Sequence, residues 1–237
     1  MAVYIYSITS KQHPLPLAGL EGVGDPPAQL QTVTGGPLCA VISDAPDDLR
    51  PKRRDLSAHH QVQEHLMEGG SVLPMRFGFL APDVEAVRLA LEERAQEYTA
   101  RLEALEDSVE YNLKVSQDQD VLLREILESS QEARQLNDEI RGGSASPGAS
   151  VRLGEIVAAE VQAREQALAH GIIEALRPYS RDRESAQPTG EDFLNASFLV
   201  PHEHEEMFLA TELSVANQLG EDVHFRLNGP LPPYSFV

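Results

Sequence analysis

The sequence predicts an α+β fold in two domains, and three observations carry the prediction. Some runs are β-branched or alternate apolar with polar residues, as strands do; others place apolar residues three or four apart, as helices do. At 237 residues the chain also exceeds the usual single-domain size of roughly 100–150. Hydrophobic residues make up 41% and charged residues 24%, ordinary globular usage that argues against disorder.

Val3-Tyr4-Ile5-Tyr6-Ser7-Ile8 reads as a strand, and the Pro- and Gly-rich stretch from Pro14 to Pro27 as loop. Leu38 to Ser43 is a second strand after the Gly35-Gly36-Pro37 breaker, with Cys39 in it as a small hydrophobe. A polar helix is predicted from near Arg54 to Met67, stopped by Gly69-Gly70, and Val72-Leu73-Pro74-Met75-Arg76-Phe77-Gly78 follows as a short extended segment. From Asp83 to about Leu105 the apolar positions Val84, Val87, Leu91, Ala95, Tyr98, Leu102 and Leu105 line one helix face. Ser108 to Val115 then alternates with period two. The order β, β, α, β, α, β is that of a ferredoxin-like layer, assigned to residues 1–116.

Residues 117–150 read as two helical segments followed by the flexible run Gly142 to Ser150, with Ser150 as cap of the next helix. Residues 151–237 form a smaller α+β domain. In it a long helix ends at Pro178, a strand spans Phe193 to Val200, a helix carries Leu209, Leu213 and Ala216, and a last strand carries Val223, Phe225 and Leu227.

Charge limits the partners. Nineteen Lys and Arg against 38 Asp and Glu give a net charge of −19, a field that repels phosphate backbones and anionic headgroups. Neither nucleic acid nor a lipid membrane is an expected partner. The N-terminal residues lack a leader pattern and no apolar stretch approaches about 18 residues, so the cytoplasm is the expected compartment.

No catalytic apparatus is legible. His59, His60, His65, His202 and His204 are spaced poorly for converging on a metal and read as surface or capping histidines. Glu203, Glu205 and Glu206 suit a helix N-terminus. No GxGxxG, GKS/T or GxSxG pattern occurs, so neither cofactor nor enzymatic activity is expected. Two segments stand out instead. Arg76 sits in an otherwise apolar strand, paired either with a carboxylate such as Glu110 or with a partner. The tail from Asn228 to Val237 concentrates prolines and aromatics, which either dock onto the chain's own sheet or present anchors.

At these residues the chain resembles the GvpL/GvpF family of gas vesicle accessory proteins. The resemblance rests on Tyr4-Ile5-Tyr6-Ser7-Ile8, on Val72 to Gly78, on Glu110-Tyr111-Asn112-Leu113-Lys114-Val115, on Leu194 to Val200, and on the tail Gly229-Pro230-Leu231-Pro232-Pro233-Tyr234-Ser235-Phe236. It implies a ferredoxin-like N-terminal domain, a C-terminal α+β domain with long linking helices, and a place in gas vesicle assembly through the small hydrophobic shell protein and other gas vesicle accessory proteins. A minor structural part in the vesicle wall is the alternative. The expected partner-binding residues are Tyr4, Tyr6, Arg76, Phe77, Tyr111, Tyr234 and Phe236, with the groove between domains and an adjoining sheet edge as the apolar patch.

Overall fold

The computed structural model describes residues 1–237 and divides into two compact units. Unit 1 comprises Met1–Tyr111, Leu199–Glu203 and Asn228–Val237; unit 2 comprises Asn112–Phe198 and His204–Leu227. The division differs from the linear one expected at residues 116 and 150. The proline-rich tail, expected in the C-terminal domain, belongs to unit 1, because its aromatic side chains pack there.

In unit 1, β1 (Val3–Ser10), β2 (Gln31–Gly35), β3 (Leu38–Asp44) and β4 (Val72–Pro74) form a sheet in the order β2-β3-β1-β4, and β5 (Leu80–Ala81) pairs with β1 alone. Each of these pairings is antiparallel. The α+β class stands. As expected for Pro14 to Pro27, residues 11–30 join β1 to β2 as loop, without the helix that a ferredoxin-like layer carries at this crossover. Strand β2 escaped the sequence reading because Gln31-Thr32-Val33-Thr34 is too short and polar to announce itself. Gly36 and Pro37 join it to β3 as a two-residue hairpin. Gly36 has φ 58°, the left-handed conformation needed at the first turn position, and Pro37 fits the second.

Nearly all of β1 is buried because both of its faces are covered, and a register shift between Ile5 and Ser7 resets which side chains meet which cover. Before it Val3 and Ile5 point to one face and Tyr4 and Tyr6 to the other; after it Ile8 rejoins the face of Val3. That first face is covered by α2 (Val84–Glu93) and α3 (Ala95–Ala104) through Val87, Leu91 and Leu102. The second is covered by α1 (Arg53–Met67) through Val62 and Leu66, and by the loop after β1. One continuous helix was expected over 83–105. It breaks at Arg94 (φ −105°, ψ 17°), so that α2 lies over β2 and β3 while α3 lies over β1 and β4. At Gly35 the approach of α2 leaves no room for a side chain: a Cβ would sit 2.7 Å from the Arg88 carbonyl oxygen.

Strand β6 (Ser108–Gln117) leads into unit 2, where α4 (Gln119–Ser129) is capped by Asp118 and α5 (Gln131–Arg141) by Ser130. The 28-residue α6 (Ala149–Leu176) begins after Gly148, with φ 92°; Ser150 lies inside the helix and does not cap it. β7 (Asp182–Ser185), β8 (Asp192–Pro201), α7 (Glu205–Leu219) and β9 (Val223–Leu231) complete the order, with a second sheet β7-β8-β6-β9. In unit 2 the Phe198 and Phe208 rings pack at 5.4 Å, and the Asn112 amide donates to Asn195 Oδ1 at 3.0 Å. Helix α7 turns differently from expectation. Phe208 is its buried residue, whereas Leu209 and Leu213 are exposed. No helix of the chain is long and apolar enough to cross a membrane.

Candidate functional site

The site is built on the inward face of α1. Asp55, His59, Val62, Gln63 and Leu66 recur at helical spacing and are buried, so a helix that reads as polar turns three polar side chains inward. Each must then find hydrogen bonds. Asp55 Oδ1 accepts from the Gly24 N–H at 3.0 Å, and Gln63 donates to the Tyr6 carbonyl.

His59 makes the central connection. Its Nε2 lies 3.0 Å from the Met75 carbonyl oxygen, which can only accept, so the proton of the neutral ring resides there. Nδ1 is therefore the acceptor for the Tyr4 hydroxyl at 2.8 Å, and that hydroxyl accepts in turn from the Gly78 N–H at 3.3 Å. One relay thus pins both ends of the Met75 to Gly78 loop to β1 and α1. Burial pushes the His59 pKa down to about 4, against a smaller upward pull from the Met75 carbonyl, so the ring is neutral at pH 7. Tyr6 is enclosed similarly. Its hydroxyl accepts from the Val23 N–H at 2.8 Å and meets Ser43 Oγ at 3.0 Å. Gly22 permits this closure, since a Cβ there would lie 2.6 Å from the Tyr6 hydroxyl. The Pro- and Gly-rich loop is thus a cover for Tyr6.

Aromatic rings gather around the same histidine. Phe77 stands edge-on to His59 and to Tyr4, both at 5.9 Å, and Tyr234 stacks on His59 at 6.5 Å. The tail docks onto its own unit. Ser235 donates to Glu110 from both its N–H, at 2.9 Å, and its hydroxyl, at 2.7 Å, while Phe236 packs against the α2–α3 side of the core. Tyr234 is half-buried, and desolvation pushes its pKa up to about 12. Gly229, with φ 155°, lets the chain pass over the Tyr111 ring; a Cβ there would fall 2.4 Å from Tyr111 Cδ1.

These contacts revise the expected partner-binding set. Tyr4 and Tyr6 are 0% exposed and Tyr111 3%, so none touches a partner in this conformation; their rings fill the core and, for Tyr4 and Tyr6, anchor loops. Phe77, Tyr234 and Phe236 are half-buried supports. Arg76 is exposed and does not pair with Glu110, whose carboxylate is taken by Ser235. His59, read as surface or capping, is buried. Its signal was the spacing Asp55, His59, Val62, Leu66, visible only if polar residues are allowed on a buried face. What remains exposed is the knuckle beside the relay: Arg76, then Phe79 at 51% and Leu80 at 48%.

Four of the five segments that carry the family resemblance meet here, and comparison with known proteins decides its meaning. The family model described as gas vesicle synthesis protein GvpL/GvpF matches residues 2–237. The chain belongs to the GvpL/GvpF family. Membership gives it a role in gas vesicle formation and sets it in a family of gas vesicle proteins, not of enzymes. It is 42% identical to gas vesicle protein F of Streptomyces sp. (strain CB03234), covering all of both chains. It is 28% identical to gas vesicle protein F of Dolichospermum flosaquae, over 99% of this chain and 97% of that one. The crystal structure of GvpF from Anabaena sp. PCC7120 superposes with TM-score 0.86 at 24% identity, over 99% of this chain and 97% of that one. The mixed helix-and-sheet architecture is therefore that of GvpF structures.

Proposed function

We propose that the protein escorts the small hydrophobic gas vesicle shell subunit, keeping it soluble and delivering it to the growing wall. The observation that supports this is the apolar knuckle at the open side of β5. Phe79, Leu80 and Val84 are 51%, 48% and 45% exposed, and β5 is a two-residue strand bonded to β1 only. An extended apolar segment can pair with such an edge through its backbone while its side chains cover Phe79 and Leu80. Arg76 flanks the patch and can contact the partner, whereas Phe77, Tyr234 and Phe236 hold the knuckle or the adjoining core from behind. The net charge of −19 keeps loaded escorts apart in the cytoplasm. Other gas vesicle accessory proteins are further partners at the vesicle.

Co-expression with the shell protein and affinity pull-down tests the reading. Wild type retains the shell protein, while F79S/L80S reduces the captured amount by about tenfold, from the loss of roughly 1–2 kcal/mol of apolar contact. Undiminished capture by the folded double variant would overturn the proposal. Urea washing of purified vesicles separates an escort, which is removed, from a minor wall constituent, which stays.

A further inference from the structure

Unit 1 carries a second surface, beside the Thr9 end of β1 where Val72 pairs, whereas β5 pairs with the Val3 end. A cleft of about 590 Å3 lies among the C-terminal turn of α1, the start of β4, the α3–β6 turn and the tail. This volume is within the roughly 300–1,000 Å3 typical of sites that enclose a ligand. Its apolar lining includes Met67, Val72, Leu105, Val109 and Pro233. Three carboxylates, Glu64, Glu68 and Asp107, line it as well, and no Lys or Arg does.

The missing cations distinguish this place from the rest of the unit. Elsewhere carboxylates are matched by guanidinium groups: Arg88 lies 2.6 Å from Glu92, Arg101 3.1 Å from Glu97, and Arg54 2.8 Å from Asp25. At the cleft the neighbours are imidazoles, His60 at 3.1 Å from Glu64 and His65 at 3.4 Å from Glu68, and each carries charge only when protonated. The field reaches inward, since Glu64 contributes to the raised pKa of Tyr234. A smaller cleft of about 380 Å3 shares Gly69, Gly70 and Ser71 with the first and adds Glu103 and Glu106 to its lining, again without Lys or Arg. The two form one acidic track around the Gly69–Ser71 turn. A concave surface lined by one sign of charge focuses its potential, and apolar walls strengthen the effect.

The geometry points to a docking groove for a polypeptide segment that carries Arg or Lys beside apolar side chains. The apolar part packs on Met67 and Pro230, the lining side chains left partly or fully exposed, and the cations neutralise Glu64, Glu68 and Asp107. This surface is separate from the β5 knuckle and does not rest on it. A free cation would find no cage here, because no group of three His, Cys, Asp or Glu side chains is arranged to hold a metal ion.

The test is fluorescence anisotropy of short labelled peptides with the full chain. The probes alternate Leu with Arg, Leu with Glu, or Ser with Arg. The Leu/Arg peptide binds in a salt-dependent manner and the other two do not. E64Q/E68Q/D107N weakens that binding by about tenfold, the combined loss of three rim charges, and keeps the wild-type circular dichroism and melting curve. F79S/L80S leaves peptide binding unchanged, so failure of the groove and failure of the shell-protein reading are distinguishable. Equal binding of the Ser/Arg peptide, or unaltered binding by the triple variant, would overturn the inference.

Discussion

Lowering the pH should unlock the relay at His59, and the size of the effect follows from its environment. The ring is 4% exposed, and burial depresses its pKa from 6.5 to about 4. Between those values the unfolded chain binds a proton that the folded chain refuses. Stability from this group is therefore complete above pH 6.5 and is lost as the pH falls toward 4. At 1.36 kcal/mol per pH unit the full loss is roughly 3 kcal/mol, of which about 2 kcal/mol is gone by about pH 5. Urea unfolding followed by tyrosine fluorescence suits the measurement. The chain has no Trp, and five of its six tyrosines, Tyr4, Tyr6, Tyr98, Tyr111 and Tyr234, lie in unit 1. Wild type is expected to lose about 2 kcal/mol more than H59Q between about pH 7.5 and about pH 5. His13, whose pKa burial also lowers, remains in both proteins and cancels in the comparison. Equal losses in the two proteins would refute the argument that a buried neutral imidazole holds the Met75 to Gly78 loop.

Two further outcomes concern the tail. G229A places a methyl group against Tyr111 at a φ that L residues avoid, and a loss of about 2–4 kcal/mol is expected by urea titration. S235A removes one hydroxyl donor from the buried Glu110 carboxylate while keeping the backbone donor, which should cost about 1.5 kcal/mol in the same assay.

Composition made β1 and β3 legible as β-branched or apolar runs, and periodicity made β6 and the helix face of Val87 and Leu91 legible. Strand β2 was not, since its burial comes from α2 lying across Gly35 and Val33 more than from its own hydrophobicity. The seven aromatic and charged positions expected to meet a partner were chosen as unusual residues. Four of them, Tyr4, Tyr6, Phe77 and Tyr234, gather around His59, and Tyr111 lies under Gly229, all as packing or loop anchors. Sequence cannot rank exposure within such a set. Which core a strand aromatic joins depends on register, as between Ile5 and Ser7, and its burial depends on what covers that face, which no local pattern reveals. Arg76 and Glu110 illustrate the same limit: a buried carboxylate needed donors, and they came from Ser235, 125 positions away.

The docking of residues 228–237 into a unit otherwise made by residues 1–111 and 199–203 orders events during synthesis. A nascent chain released or stalled before Asn228 would hold a complete first sheet but leave the His59 ring without its Tyr234 stack and Glu110 without either Ser235 donor. The packing around His59 and Glu110 would then mature only once the intervening hundred or so residues have been made.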